Sequence, residues 1–167
     1  MIAAADFLDM INRRIGLAVR WLALVMVVLQ FSIVLLRYVF GVSFIFLDEG
    51  VLYMHCAVFM LGAGYTLLLD QHVRVDIFYS RFGPRARGRI DILGAALALI
   101  PGCLAILWYS WPFVLNSWKN FDGAISVGGI PASFLLKTLI PAFCVLLVIQ
   151  GVACLFRDIV RMKATPQ

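Results

Sequence analysis

Charge is scarce in this sequence: Asp, Glu, Lys and Arg make up 14% of its 167 residues against 63% hydrophobic, and mean hydropathy is +0.99. That excludes a small soluble domain, whose single core could not bury so much apolar surface. Histidine is almost missing. His55 and His72 lie 17 residues apart, which along a helix is ~25 Å, too far to share one metal within a chain. A haem held between helices would therefore need His55 from two chains. The four cysteines, Cys56, Cys103, Cys144 and Cys154, all sit in apolar runs without Cys-x-x-Cys spacing, and read as small core residues. No Walker motif, nucleophile elbow or zinc-hydrolase helix is present. Enzymatic function has no support, and no cofactor or metal is expected.

What the chain does have is four long apolar runs. A crossing needs ~20 apolar residues, so the length allows four spans in one integral membrane domain, 1–167, with little left for a soluble part. The first run, 15–36, reaches spanning length if Arg20 snorkels to the headgroups. The second, 50–69, is clean except for His55. Pro101 and Pro112 interrupt the third, 92–114, and are expected to kink it or, for Pro112, to end it. The fourth, 134–156, carries Lys137 near its start and Pro141 as a bend. Continuous runs mean helices, not the alternating ten-residue segments of a barrel. The expected fold is an all-α membrane protein with four transmembrane helices and short interfacial amphipathic helices.

Two such surface helices are expected. Residues 1–12 set Ile2, Phe7, Leu8 and Ile11 against Asp6, Asp9 and Asn12, the pattern of a short helix lying on the membrane, or else a frayed tail. The arginines ahead of the first run also suggest a secretory signal, but the run is too long for one and lacks a small-residue cleavage site. In the connection 70–91, Val75, Ile77, Phe78 and Phe82 alternate with Asp76, Ser80 and Arg81 before Gly83-Pro84 and the cluster Arg85, Arg87, Arg89. Attraction to anionic lipid explains those arginines, with a regulatory partner as the other reading.

Sidedness follows from where Lys and Arg fall. Arg13, Arg14 and Arg20, the five arginines of 70–91, and Arg157, Arg161 and Lys163 mark the termini and middle connection as cytoplasmic. The outward connections have only Arg37 and Lys119. The net charge of +5 is explained by this asymmetry, so no nucleic-acid partner is needed.

Polar residues within spans point to function, and there are few: Gln30, His55 and Gln150. Gln30 and His55 are placed at similar depth, where an interhelical hydrogen bond is a better reading than a proton relay. There is no mid-span carboxylate; Asp48, Glu49 and Asp70 all stand at span ends. Gly94, Ala98 and Gly102 recur every four residues, a row that admits another helix closely, whether of this chain or of another protein. Gly62 and Gly64 do something similar in the second span.

Between the first two spans stands Arg37-Tyr38-Val39-Phe40-Gly41, then Phe46 and the pair Asp48-Glu49. This resembles the signature of the small membrane subunit, DctQ-like, of tripartite ATP-independent periplasmic (TRAP) transporters. Leu61-Gly62-Ala63-Gly64 resembles the family's Leu-Gly-Ala-Ala, His72-Val73-Arg74-Val75-Asp76 its His-Ile/Val-x-Val-Asp, and Gly129-Ile130-Pro131 its approach to the fourth span. The resemblance runs in order from Arg37 to Gln150. Phe46 stands where the family usually has Trp, and Asp48 where it has Glu.

The resemblance implies an auxiliary subunit of the bacterial inner membrane. In such systems a periplasmic protein captures an organic acid, a large permease subunit carries it inward with sodium by an elevator-like motion, and the small subunit packs on the stationary scaffold. The large subunit would be its stable partner and the periplasmic protein a transient one, docking on the outward connections. Arg37 is expected to pair with Asp48-Glu49 and fix the hairpin, unless these are simply solvated span ends. His72 and Asp76 are expected to cap the second span. Phe46, Gly94, Ala98, Gly102 and Pro131 complete the structural or partner-contact candidates. The competing readings are a stand-alone small transporter or channel and a membrane haem protein.

Overall fold

Helix is the economical way for these runs to satisfy their backbone amides in lipid. The structure, a computed structural model that describes residues 2–71 and 83–164, is helical through every apolar run. Its elements are α1 (Ile2–Val39), α2 (Ile45–Leu68), α3 (Pro84–Gly94), a π-helical turn (Ala95–Leu99), α4 (Ile100–Asn120) and α5 (Ser133–Ala164). Four stretches are long and apolar enough to cross a membrane: Ala4–Val39, Ile45–Leu68, Gly88–Asn120 and Ser133–Val160. Each expected span falls on one of them, and most of the helices run further than the apolar runs. A helix ends where its backbone bonding ends, not where polarity begins.

Residues 1–12 are where expectation and structure part. The separate surface helix is replaced by the first turns of one continuous 38-residue helix, α1. Over its first five turns the buried positions are Ala5, Asp9, Asn12, Gly16 and Val19, spaced four and three residues apart, while Phe7 and Met10 are exposed. The amphipathic pattern is real, but its polar side faces the bundle. The second expected surface helix falls on residues 72–82, outside the described residues, together with His72 and Asp76. Gly83 in an extended conformation and Pro84 at the first turn then start α3.

Left-handed residues stop two of the helices. Asp70 (φ 56°) and Phe121 (φ 45°) each follow a helix end, and the next amide reaches back five residues, from Gln71 to the Thr66 carbonyl and from Asp122 to that of Ser117. This is the Schellman closure, made without glycine. After α1 the chain reverses at Gly41 (φ 66°), where glycine is the residue that adopts this conformation at no steric cost.

The helix α5 is the hub. It packs against every other element, whereas α4 makes no comparable contact with α1 or α2. In its most apolar stretch 39% of residues are buried inside the chain, against 6–11% in the other three spans. The remaining apolar surface is therefore left for lipid or other subunits. Small residues set the close approaches: Gly16 lies under the Tyr65 ring, Gly62 beside Val19, and Gly64 against Asn12. Cys103, Cys144 and Leu147 form the buried centre between α4 and α5, with Ala63, Leu67 and Leu107 packed around them. All four cysteines are free thiols, and Cys56 and Cys154 are half-buried.

Pro112 does not end the third span, which continues to Asn120. Pro101 is preceded by the π turn, whose Ile100 amide bonds the Ala95 carbonyl five residues back. A proline has no amide hydrogen and its ring crowds the preceding turn, so widening that turn by one residue accommodates it.

Candidate functional site

The polar side chains gather at the two ends of the bundle. At the end carrying the 40–44 turn and the 121–132 loop, three contacts made by carboxylates tie the chain together. Arg37, in the last turn of α1, bonds Asp48 at 3.2 Å and Ser43 at 3.3 Å. This ion pair is open, with side chains about half exposed, and such pairs contribute little on their own.

Glu49 does something different from its neighbour. It is buried, at 5% exposure, and does not meet Arg37. Its two carboxylate oxygens instead accept the amides of Ser126 and Ile130, each at 2.7 Å. The expected grouping of Arg37 with both carboxylates is thus divided: Asp48 closes the hairpin, and Glu49 holds the distant loop. Sequence spacing could not separate the two, because adjacent helical residues differ by 100° in direction and only the fold says which faces inward. Gly129 makes the clasp possible, since a Cβ there would overlap the Glu49 carboxylate, and Gly128 (φ 85°) turns the chain into it. Pro131 follows directly and is exposed.

Asp122 makes the third contact. Its carboxylate accepts Lys137 at 2.6 Å and the Ser117 hydroxyl at 2.6 Å. The hydrogen bond from Lys137, then that from Ser117, holds the Asp122 carboxyl below the usual carboxylate range against the opposing effect of desolvation. Lys137 also lies 4.4 Å from the Phe113 ring, so its charge is held locally at the head of α5. Trp118 donates its indole N–H to Thr138 at 2.8 Å and stacks edge-on with Phe134. Phe46 is half exposed, tilted against Phe44 at 5.6 Å, and makes no polar contact through its ring.

The opposite end holds a network that sequence reasoning missed. Asn12, fully buried, donates to Gln150 Oε1 at 3.0 Å and to the Leu146 carbonyl at 3.3 Å. Gln150 in turn donates to Asp9 at 2.8 Å, and Arg157 pairs with Asp9 and, at 3.0 Å, with Asp6. Gly64 leaves room for the Asn12 side chain. The signal available was the spacing of Asp9 and Asn12 on the stripe that continues through Gly16 and Val19. These contacts also place the start of α1 and the end of α5 at the same end of the bundle.

Gln30 and His55 do not meet. Both are exposed and neither has a hydrogen-bond partner among the described residues; His55 rests on Phe59, ring centroids 5.2 Å apart. The contacts of Gly16 with Tyr65, Gly62 with Val19 and Gly50 with Leu29 set the antiparallel register, which puts Gln30 level with Gly50. His55 then lies about 7 Å deeper. Among the described residues the row Gly94, Ala98, Gly102 also stays apart from the other helices: all three are exposed, and a Cβ at either glycine would meet nothing within 4 Å. By contrast Gly62 and Gly64 are used inside the chain.

No nucleophile and base converge in either cluster, and the carboxylates are engaged by backbone amides, Arg, Lys and Gln. The arrangement braces helices. A protein-family model, Tripartite ATP-independent periplasmic transporters, DctQ component, matches residues 24–161, well over half of the chain. No curated protein and no solved structure gave a significant match. The matched stretch takes in all four spans and the Glu49 clasp, and the chain belongs to the DctQ component of TRAP transporters: a multi-pass subunit of a membrane transport system and not an enzyme.

Proposed function

We propose that this chain is the small subunit that braces the large permease of a sodium-coupled TRAP transporter for organic acids, and that it helps dock the periplasmic binding protein. The family match over residues 24–161 carries this reading. The helices themselves support it: apart from α5 they bury little of their surface within the chain, which suits an element that widens another subunit's scaffold. The orientation that fits is both termini and the 70–91 connection in the cytoplasm, because Lys and Arg concentrate there. The 40–44 turn and the 121–132 loop then face the periplasm. Glu49 and Asp122 would hold that loop in shape, with Val127 fully open and Tyr38 largely so. His72 and Asp76 are proposed to cap the cytoplasmic end of the second span.

Reconstitution tests the role. Proteoliposomes containing the large permease, this chain and the binding protein are expected to take up the organic acid only with an inward sodium gradient. Leaving out this chain should lower uptake at least tenfold. Undiminished uptake without it, or flux through this chain alone, would contradict the proposal.

A further inference from the structure

The outer face of α4 carries hydrogen-bonding groups that lipid cannot satisfy. Trp108 and Tyr109 are 79% and 82% exposed, and neither the indole N–H nor the phenol has a partner among the described residues. Tyr109 lies nine residues before Trp118, so it stands ~14 Å inside the level of the Trp118–Thr138 bond at the bundle end. Helical side chains lean toward the N-terminus of their helix, which for α4 is toward the membrane interior. Neither side chain can therefore escape to the headgroups. Pro112 adds a third group: it has no amide to give to the Trp108 carbonyl four residues earlier. Tyr and Trp normally sit in the belts at the membrane surface, and polar groups within hydrocarbon need a protein partner.

The same helix offers room for one. Gly94, Ala98 and Gly102 are exposed and none of the described residues covers the two glycines, while the stripe Cys103, Leu107 and Val114 faces the bundle. The rod formed by α3, the π turn and α4 touches chiefly α5, so among the described residues its outer side is left clear from Gly94 to Pro112.

We infer that this face receives a transmembrane helix of the large permease subunit, one that crosses the Gly94–Ala98–Gly102 row closely and presents a side-chain acceptor to Tyr109, which lies two turns beyond Gly102 on the same side of the helix, while Trp108, turned about 100° from Tyr109, flanks the contact. This rests on the proposed function, and narrows it from an unspecified scaffold contact to one face. The occupant is the large subunit because the chain is a component of a multi-subunit transporter.

The test is cross-linking in native membranes, with a benzophenone side chain in place of Tyr109 or, as control, of Phe31, which is 66% exposed on α1. Position 109 should give an adduct with the large subunit at least tenfold stronger than position 31. Gly102→Leu should cut co-purification of the large subunit about tenfold while leaving the melting point of the isolated chain unchanged, since its side chain enters open space. A stronger adduct from position 31, an adduct between two copies of this chain, or only lipid adducts at 109 would overturn the inference while the proposed function stood. Failure of the unsubstituted chain to bind the large subunit at all would overturn both.

Discussion

Glu49 and Gly129 are the pair on which the 121–132 loop hangs. The carboxylate lies where a Cβ on residue 129 would be, so Gly129→Ala forces the loop off its two bonds to Ser126 and Ile130. An overpacking cost of about 2 kcal/mol should lower the midpoint of thermal unfolding by ~5 °C for a chain of this size. In a Glu49→Ala background the same change should cost almost nothing, because the atom it collides with is gone; full additivity in that cycle would show that the clasp is not the cause. Asp122 gives a pH dependence with a definite sign. Lys137 and Ser117 hold its folded pKa below the ordinary value, so its contribution is complete above about pH 5 and disappears as pH falls through the lowered folded value. The gap in melting point between the wild type and Asp122→Asn should be constant from neutral to mildly acidic pH and close below that. A gap that closes only on the alkaline side would contradict the pairing.

At the scale of elements, the apolar runs were legible because each is long, continuous and bounded by charge, and helix is what such a run must form. The ends were less legible. Residues 1–12 carry the amphipathic period, but a period does not say which face is inside, and here Asp9 and Asn12 are the buried side. Their partners Gln150 and Arg157 lie more than 130 residues away in sequence, beyond any local pattern. Likewise the adjacent Asp48 and Glu49 look equivalent until the 121–132 loop folds over one of them. Gln150→Leu tests the network: it strips Asn12 and Asp9 of a shared partner, leaving buried polar groups at a cost of about 3 kcal/mol. Hydrogen exchange should rise in the first turns of α1 and stay unchanged at the 121–132 loop. Unchanged protection of residues 5–12 would mean that Asn12 and Asp9 do not depend on Gln150.

At the scale of the whole molecule, α5 joins α1 and α2 on one side to α4 on the other, and polar clasps fix the bundle at both ends. Between them the chain shows hydrocarbon a surface that is mostly unburied. A conduit would need its polar groups turned inward; here Gln30, His55, Trp108 and Tyr109 all point outward. That distribution suits a subunit completed by another protein, and the family match says in which system. Native mass spectrometry of the large permease subunit, extracted gently from membranes that also hold this chain, tests this most directly. The expected result is a complex heavier than the large subunit by the 18.6 kDa of this chain, or a multiple of it, that releases this chain on activation. A large subunit found only at its own mass, with this chain separate in the same sample, would contradict it.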